Sequence, residues 1–78
     1  MNNARRKKLS KLYDKLEGLR EELEQIKDEE QEAYDNMPEG VQGSERGEIA
    51  YEAVDNLENA HTQLEEVLEA IDNAKGET

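Results

Sequence analysis

Leu9, Leu12, Leu16, Leu19, Leu23 and Ile26 recur at intervals of 3, 4, 3, 4 and 3 residues. A β-strand repeats every second residue and cannot generate this spacing, whereas a helix with an apolar seam of period 3.5 generates it directly. Ala33 and Met37 extend the heptad, and Glu30 is its one polar interruption. Tyr13 and Tyr34 flank the seam three heptads apart. The seam is narrow, as expected for a helix gripped from one side.

The second half of the chain carries a wider pattern. Ala50, Leu57, Leu64 and Ile71 repeat every seven residues, and so do Ala53, Ala60, Val67 and Ala74. Val54, His61 and Leu68 form a third row beside them. The stripe is wide enough to face more than one helix. Between the two patterns lies Met37 to Glu48, "MPEGVQGSERGE", with the only proline and three of the five glycines.

The boundaries follow from local chemistry. Asn2 or Asn3 suits the start of a first helix. Pro38 disfavours helical backbone at Met37, so that helix stops near Asn36. Ser44 is a suitable N-cap for the second helix, with Glu45 and Glu48 beside the positive end of its dipole, and Gly76 is a stop. The expectation is an all-α single domain. It has a helix over about 4–36, a loop over about 37–43 and a helix over about 44–75. Equal lengths and a short connection predict an antiparallel, coiled-coil-like two-helix hairpin. Such a hairpin leaves the wide stripe of the second helix partly wet. Pairing two copies into a four-helix bundle covers it, so the first partner expected is the chain itself, as a homodimer or a larger oligomer.

Composition narrows the function. At 78 residues with 33% hydrophobic content, the chain buries little surface and has no cysteine to staple it. No apolar run reaches the length of a signal-peptide core or a membrane span, which predicts a soluble cytoplasmic protein without a membrane partner. The net charge of −11 is unevenly placed. Residues 1–20 carry seven Lys/Arg against Asp14 and Glu17, a net of +5; the remainder carries three against nineteen, a net of −16. Folding back sets the basic start beside Glu65, Glu66, Glu69 and Asp72, which are expected to neutralise it. Direct nucleic-acid binding is disfavoured, because the acidic remainder repels phosphate.

Catalytic and metal chemistry find little support. Glu58 and His61 have the E-x-x-H spacing of di-metal carboxylate bundles. However, Glu58 falls on an outward position. The hairpin also sets Glu30 level with Ala50 and His61 level with Leu19, more than two helical turns apart. No nucleophile motif or phosphate-binding glycine pattern is present. The chain reads as a non-enzyme without metal or cofactor. The carboxylates form rows: Glu21, Glu24, Asp28, Glu32 and Asp35 on the first helix, and Glu45, Glu48, Glu52 and Asp55 on the second, where Glu66 and Glu69 resume the line. Such rows read either as solvated faces or as a mimic of nucleic-acid phosphates.

The candidate site is the connection. Gly47 lies in the first turn of the second helix, where glycine costs about 1 kcal/mol relative to alanine. That cost points to close approach by a backbone or a ligand. The helices alone demand neither Gly47 nor its neighbour Arg46. The helix amides there suit an anion. Ser44 and Arg46 add a hydroxyl and a charge, and Tyr34 and Tyr51 add stacking faces. With Asn36, Glu45 and Glu48 these residues form the candidate binding tip. The competing expectation is a structural turn in which Arg46 pairs with a nearby carboxylate.

The motif YDNMPEG (Tyr34 to Gly40), then SERGE (Ser44 to Glu48), then AVDNLENA (Ala53 to Ala60) resembles a family of short uncharacterised acidic helical proteins of Gram-positive bacteria and their phages. The resemblance carries over no catalytic residue. It implies a phage or prophage context, in which small proteins act by binding a host factor. The leading functional expectation is therefore a small acidic binding protein that inhibits or modulates a host defence or nucleic-acid-processing protein. The alternatives are an oligomeric sponge that traps a nucleotide-like molecule at the tip, and a structural assembly module.

Overall fold

The computed structural model describes residues 1–76. Its elements are α1 (Asn3–Asp35), α2 (Glu39–Gln42) and α3 (Glu45–Lys75). No strand occurs among the described residues. The molecule is a rod of 58 × 15 × 14 Å, the length set by helices of 33 and 31 residues rising about 1.5 Å per residue.

Local chemistry fixes the outer ends as expected. Asn2 is extended, and its side-chain oxygen accepts from the Arg5 amide at 2.9 Å, a cap worth about 1 kcal/mol. At the far end Gly76 takes φ 75°, the only positive φ among the described residues, which stops α3 without the penalty a Cβ would bring.

The connection differs from the predicted loop. Pro38 begins a single helical turn, α2, and its carbonyl accepts from the amides of Val41 at 2.8 Å and Gln42 at 3.0 Å. Proline already holds the required φ, so this turn costs little order. Ser44 occupies the N-cap position of α3 but does not cap it with its side chain. Its hydroxyl donates to the Val41 carbonyl at 2.5 Å, tying α2 to the start of α3.

Gly47 is buried at this junction. A Cβ there would lie 2.1 Å from the Gln42 carbonyl oxygen and 2.5 Å from that of Val41. The close approach inferred from the sequence is made by backbone, so the fold itself requires Gly47.

Contacts between α1 and α3 run in antiparallel order. The Arg6 side chain reaches the Lys75 carbonyl, Glu24 faces His61 and Tyr34 meets Tyr51. His61 was expected level with Leu19. Helical side chains lean toward the N-terminus of their own helix. In opposed helices the two leans add, and this moves Glu24 rather than Leu19 into reach.

The faces that meet also differ from expectation. On α3 the row Gly47, Val54, His61, Leu68 and Lys75 lies innermost, beside Ala50, Leu57, Leu64 and Ile71. On α1 the row Arg6, Tyr13, Arg20, Lys27 and Tyr34 is half-buried with Leu9, Leu16 and Leu23, while Leu12, Leu19 and Ile26 remain 45%, 53% and 53% exposed. The apolar seam of α1 is thus turned aside by about half its width. The wet apolar row belongs chiefly to α1, and the wide stripe of α3 is mostly used within the chain. The buried hydrophobic residues among those described are Ala50, Val54 and Leu68.

Two glycine substitutions separate these effects. Gly47→Ala is expected to lower the unfolding free energy by about 2 kcal/mol, since overpacking outweighs the propensity gain. Gly18→Ala, in open space on α1, is expected to raise it by about 0.5–1 kcal/mol. Thermal and urea denaturation read both, and a gain at Gly47 would show that α2 is not seated on α3.

Candidate functional site

The tip gathers some of the candidate residues and closes off others. Tyr34 is half-buried at the end of α1, where its carbonyl accepts from the Gln42 side chain at 2.9 Å. Its ring meets that of Tyr51 edge to face, centroids 5.8 Å apart and planes at 60°. Such a pair contributes about 0.5–1.5 kcal/mol beyond area burial. The rings form one aromatic patch, not two walls with a slot between them. Tyr51 is 61% exposed and supplies the outward part of that patch.

The N-terminus of α3 is less open than expected. Gly47 lies beneath the carbonyls of Val41 and Gln42, and Ser44 spends its hydroxyl on Val41. Glu45 and Glu48 stand exposed on the first turn, where they already complement the helix dipole. An incoming anion would meet two carboxylates there. Arg46 is exposed and pairs with no carboxylate among the described residues, so the expected internal ion pair is not formed. Asn36 is exposed at the end of α1. The outward groups of the tip are therefore Arg46, Tyr51, Asn36 and the carboxylates around them.

At the opposite end the expected neutralisation takes another form. Arg5, Lys7, Lys8, Lys11 and Lys15 are exposed, and none pairs with Glu65, Glu66, Glu69 or Asp72 among the described residues. Exposed ion pairs gain too little to hold long side chains in place. The end is joined instead by Arg6, whose Nε donates to the Lys75 carbonyl at 3.0 Å. This caps the negative end of the α3 dipole. Lys75 reaches back, donating to Ser10 Oγ at 3.4 Å, standing 5.0 Å from the Tyr13 ring centroid and 3.7 Å from Asp72. Asn3, Arg6, Lys7, Ser10 and Lys11 line a shallow groove of about 390 Å³ along α1.

His61 lies midway along the rod with its side chain only 17% exposed. Its Nδ1 is 3.2 Å from Glu65 and its Nε2 is 3.8 Å from Glu24. The second distance is beyond a hydrogen bond, and Nε2 is buried without a partner. The i,i+4 spacing of His61 and Glu65 was a readable signal for the first contact; the contact with Glu24 depended on the offset between helices. Glu58 is exposed, as its position predicted. No group of three or more His, Cys, Asp or Glu suited to a metal occurs among the described residues.

The carboxylate rows are displayed outward. Glu21, Glu32, Asp35, Glu45, Glu48, Glu52, Asp55, Glu66 and Glu69 are all exposed and form no ion pair among the described residues, Asp35 accepting only from the Gln31 side chain; Glu24 and Asp28 are exposed with a basic neighbour. No described helix is long and apolar enough to cross a membrane. No family model, curated protein or solved structure matches the chain.

His61 tests how the middle of the rod is held. Burying Nε2 without a hydrogen-bond partner costs about 1 kcal/mol or more. His61→Leu is therefore expected to stabilise the protein by about 1 kcal/mol, read as a higher urea midpoint at unchanged slope. A loss of stability would mean that the Glu24 and Glu65 contacts outweigh desolvation.

Proposed function

We propose that the chain is a small non-enzymatic binding protein. Its two long helices act as a hairpin module that self-associates into a four-helix bundle and offers its acidic surface to a basic site on a protein partner. The observation that carries this reading is the outward, unpaired display of carboxylates along both helices. Rows of like charge held at fixed spacing on rigid helices raise encounter rates with a basic surface and select against acidic ones. Because the carboxylates sit on continuous helices of 33 and 31 residues, little backbone entropy is lost when a partner reads them.

The likeness of YDNMPEG and SERGE to the phage-associated family supports a partner in the bacterial cytoplasm, inhibited or redirected by occupancy of its basic surface. A protein that normally binds nucleic acid presents such a surface. The exposed Arg46 and Tyr51 at the tip add an aromatic and cationic anchor of the kind that dominates protein interfaces. The tyrosines pack on each other, so the tip supports protein contact better than enclosure of a nucleotide.

The experiment is affinity capture from a Gram-positive lysate with three baits: the wild-type chain, a Glu45→Gln/Glu48→Gln/Glu52→Gln variant and Arg46→Ala. The expected result is a nucleic-acid-binding protein that the wild type retains, that salt elutes and that the triple variant loses. The Arg46→Ala bait is expected to hold it several-fold more weakly. Capture that ignores the triple variant, or no specific capture, overturns the reading.

A further inference from the structure

The heptad rows divide the rod into two unlike faces. In two antiparallel helices, equivalent rows fall on the same side of the pair. On one side lie Ser10, Glu17, Glu24 and Gln31 of α1 with Tyr51, Glu58, Glu65 and Asp72 of α3. That side is polar, and the contacts of His61 with Glu24 and Glu65 and of Lys75 with Ser10 and Asp72 confirm its location. On the other side lie Leu12, Leu19 and Ile26 of α1 with Ala53, Ala60 and Val67 of α3. Between these outer rows the half-buried Leu9, Leu16, Leu23, Leu57, Leu64 and Ile71 form the floor.

This apolar face is bare, and half-buried Glu30, next in the floor row after Leu23, interrupts it toward the tip. Leu19 and Ile26 are each 53% exposed, Leu12 45% and Val67 46%. Its alanines leave room for a neighbouring backbone to come close. The rod is 58 Å long and 15 Å wide, so a face of this kind buries on the order of 800 Å² per partner, the size of a standard stable interface. Charge selects the occupant. The basic start of α1 shares its end of the rod with Glu65, Glu66, Glu69, Asp72 and Lys75, so residues 1–20 and 61–76 together carry a net of +2; residues 21–60, with Asp35, Glu39, Glu45, Glu48 and Glu52 at the tip, carry a net of −12. A second copy laid head to tail brings each basic end over the other's acidic tip. Placed with matching ends together, two copies would concentrate the acidic tips against one another.

Resting on the reading that the chain self-associates, we infer that the occupant of the Leu12–Leu19–Ile26 face is a second copy, packed head to tail so that α1 lies antiparallel on the partner's α1. Leu19 is the middle residue of α1 (Asn3–Asp35), so the two-fold axis passes near it. Leu19 then meets its own equivalent, and Leu12 meets the partner's Ile26. The four-helix bundle formed this way buries the leucines that the single chain leaves wet. It turns the polar face, with its carboxylates, outward on both sides.

The test uses the full chain, which has no cysteine of its own. Light scattering after size exclusion is expected to give twice the chain mass of 8.9 kDa. Single-cysteine variants then read the geometry under mild oxidation. Leu19→Cys is expected to form a disulfide dimer. Leu12→Cys alone is expected to form none, and mixed Leu12→Cys and Ile26→Cys chains are expected to cross-link to each other. Each reduced variant is first checked for dimer mass, which keeps a folding defect from passing as a geometric result. A wild-type monomer overturns both self-association and the inference. A wild-type dimer in which Leu19→Cys cross-links with Ala60→Cys but not with itself leaves self-association standing and overturns the head-to-tail geometry. A dimer that persists unchanged in Leu19→Glu, while Glu58→Lys on the polar face dissociates it, overturns the assignment of the face.

Discussion

Backbone meets backbone at Gly47, and the rotation of α3 follows from that contact. The carbonyls of Val41 and Gln42 occupy the space of a side chain, so Gly47 must point inward beneath α2. Once that residue is inward, the heptad period carries the same orientation along the helix to Val54, His61, Leu68 and Lys75. These are the residues packed against α1. A helix rotated by one heptad position would instead bring the Ala53 row into the pair and release Val54 and Leu68 to water. One glycine at the start thus decides which residues form the interface over the whole rod. Ser44 reinforces the decision by bonding to Val41, holding α2 in the position that requires glycine.

The period, the outer helix ends and the all-helical character of the described residues were legible because they are local. The 3–4 spacing of the leucines needs only a helix; Asn2 and Gly76 act on their own first and last turns. The rotation was not legible, because an apolar stripe of three rows states a direction only to within one row. The contact that resolves it depends on the unpredicted turn α2. Leu12, Leu19 and Ile26 therefore looked like half of an internal seam and proved to be an exposed flank. His61 shows the same limit. Its neighbour Glu65 is four residues away on the same helix and could be read, whereas Glu24 is reached only through the lean of side chains on opposed helices.

At the tip, the sequence marked Gly47 and Arg46 together as unexplained, and the structure separates them. Gly47 belongs to the fold. Arg46 remains outward, with Tyr51 beside the Tyr34 ring. The expected ion pairs failed to form at both ends of the rod for one reason. Long exposed side chains lose more by being fixed than a solvated pair returns. What joins the ends instead is directional and partly shielded, as with Arg6 on the Lys75 carbonyl and Lys75 over Tyr13.

The arrangement of copies bears on what the tip can bind. A small molecule trapped between two tips needs both at the same end of an assembly. In the head-to-tail dimer proposed above the tips would lie at opposite ends, roughly 50 Å apart for helices of this length, each beside the other chain's basic start. A single nucleotide cannot bridge that distance. The edge-to-face tyrosines leave no slot for one within a single tip. Two separated tips, joined by outward acidic faces along the rod, instead form an extended surface. A small molecule could not contact more than one part of it, whereas the protein partner proposed above, with a basic surface, could.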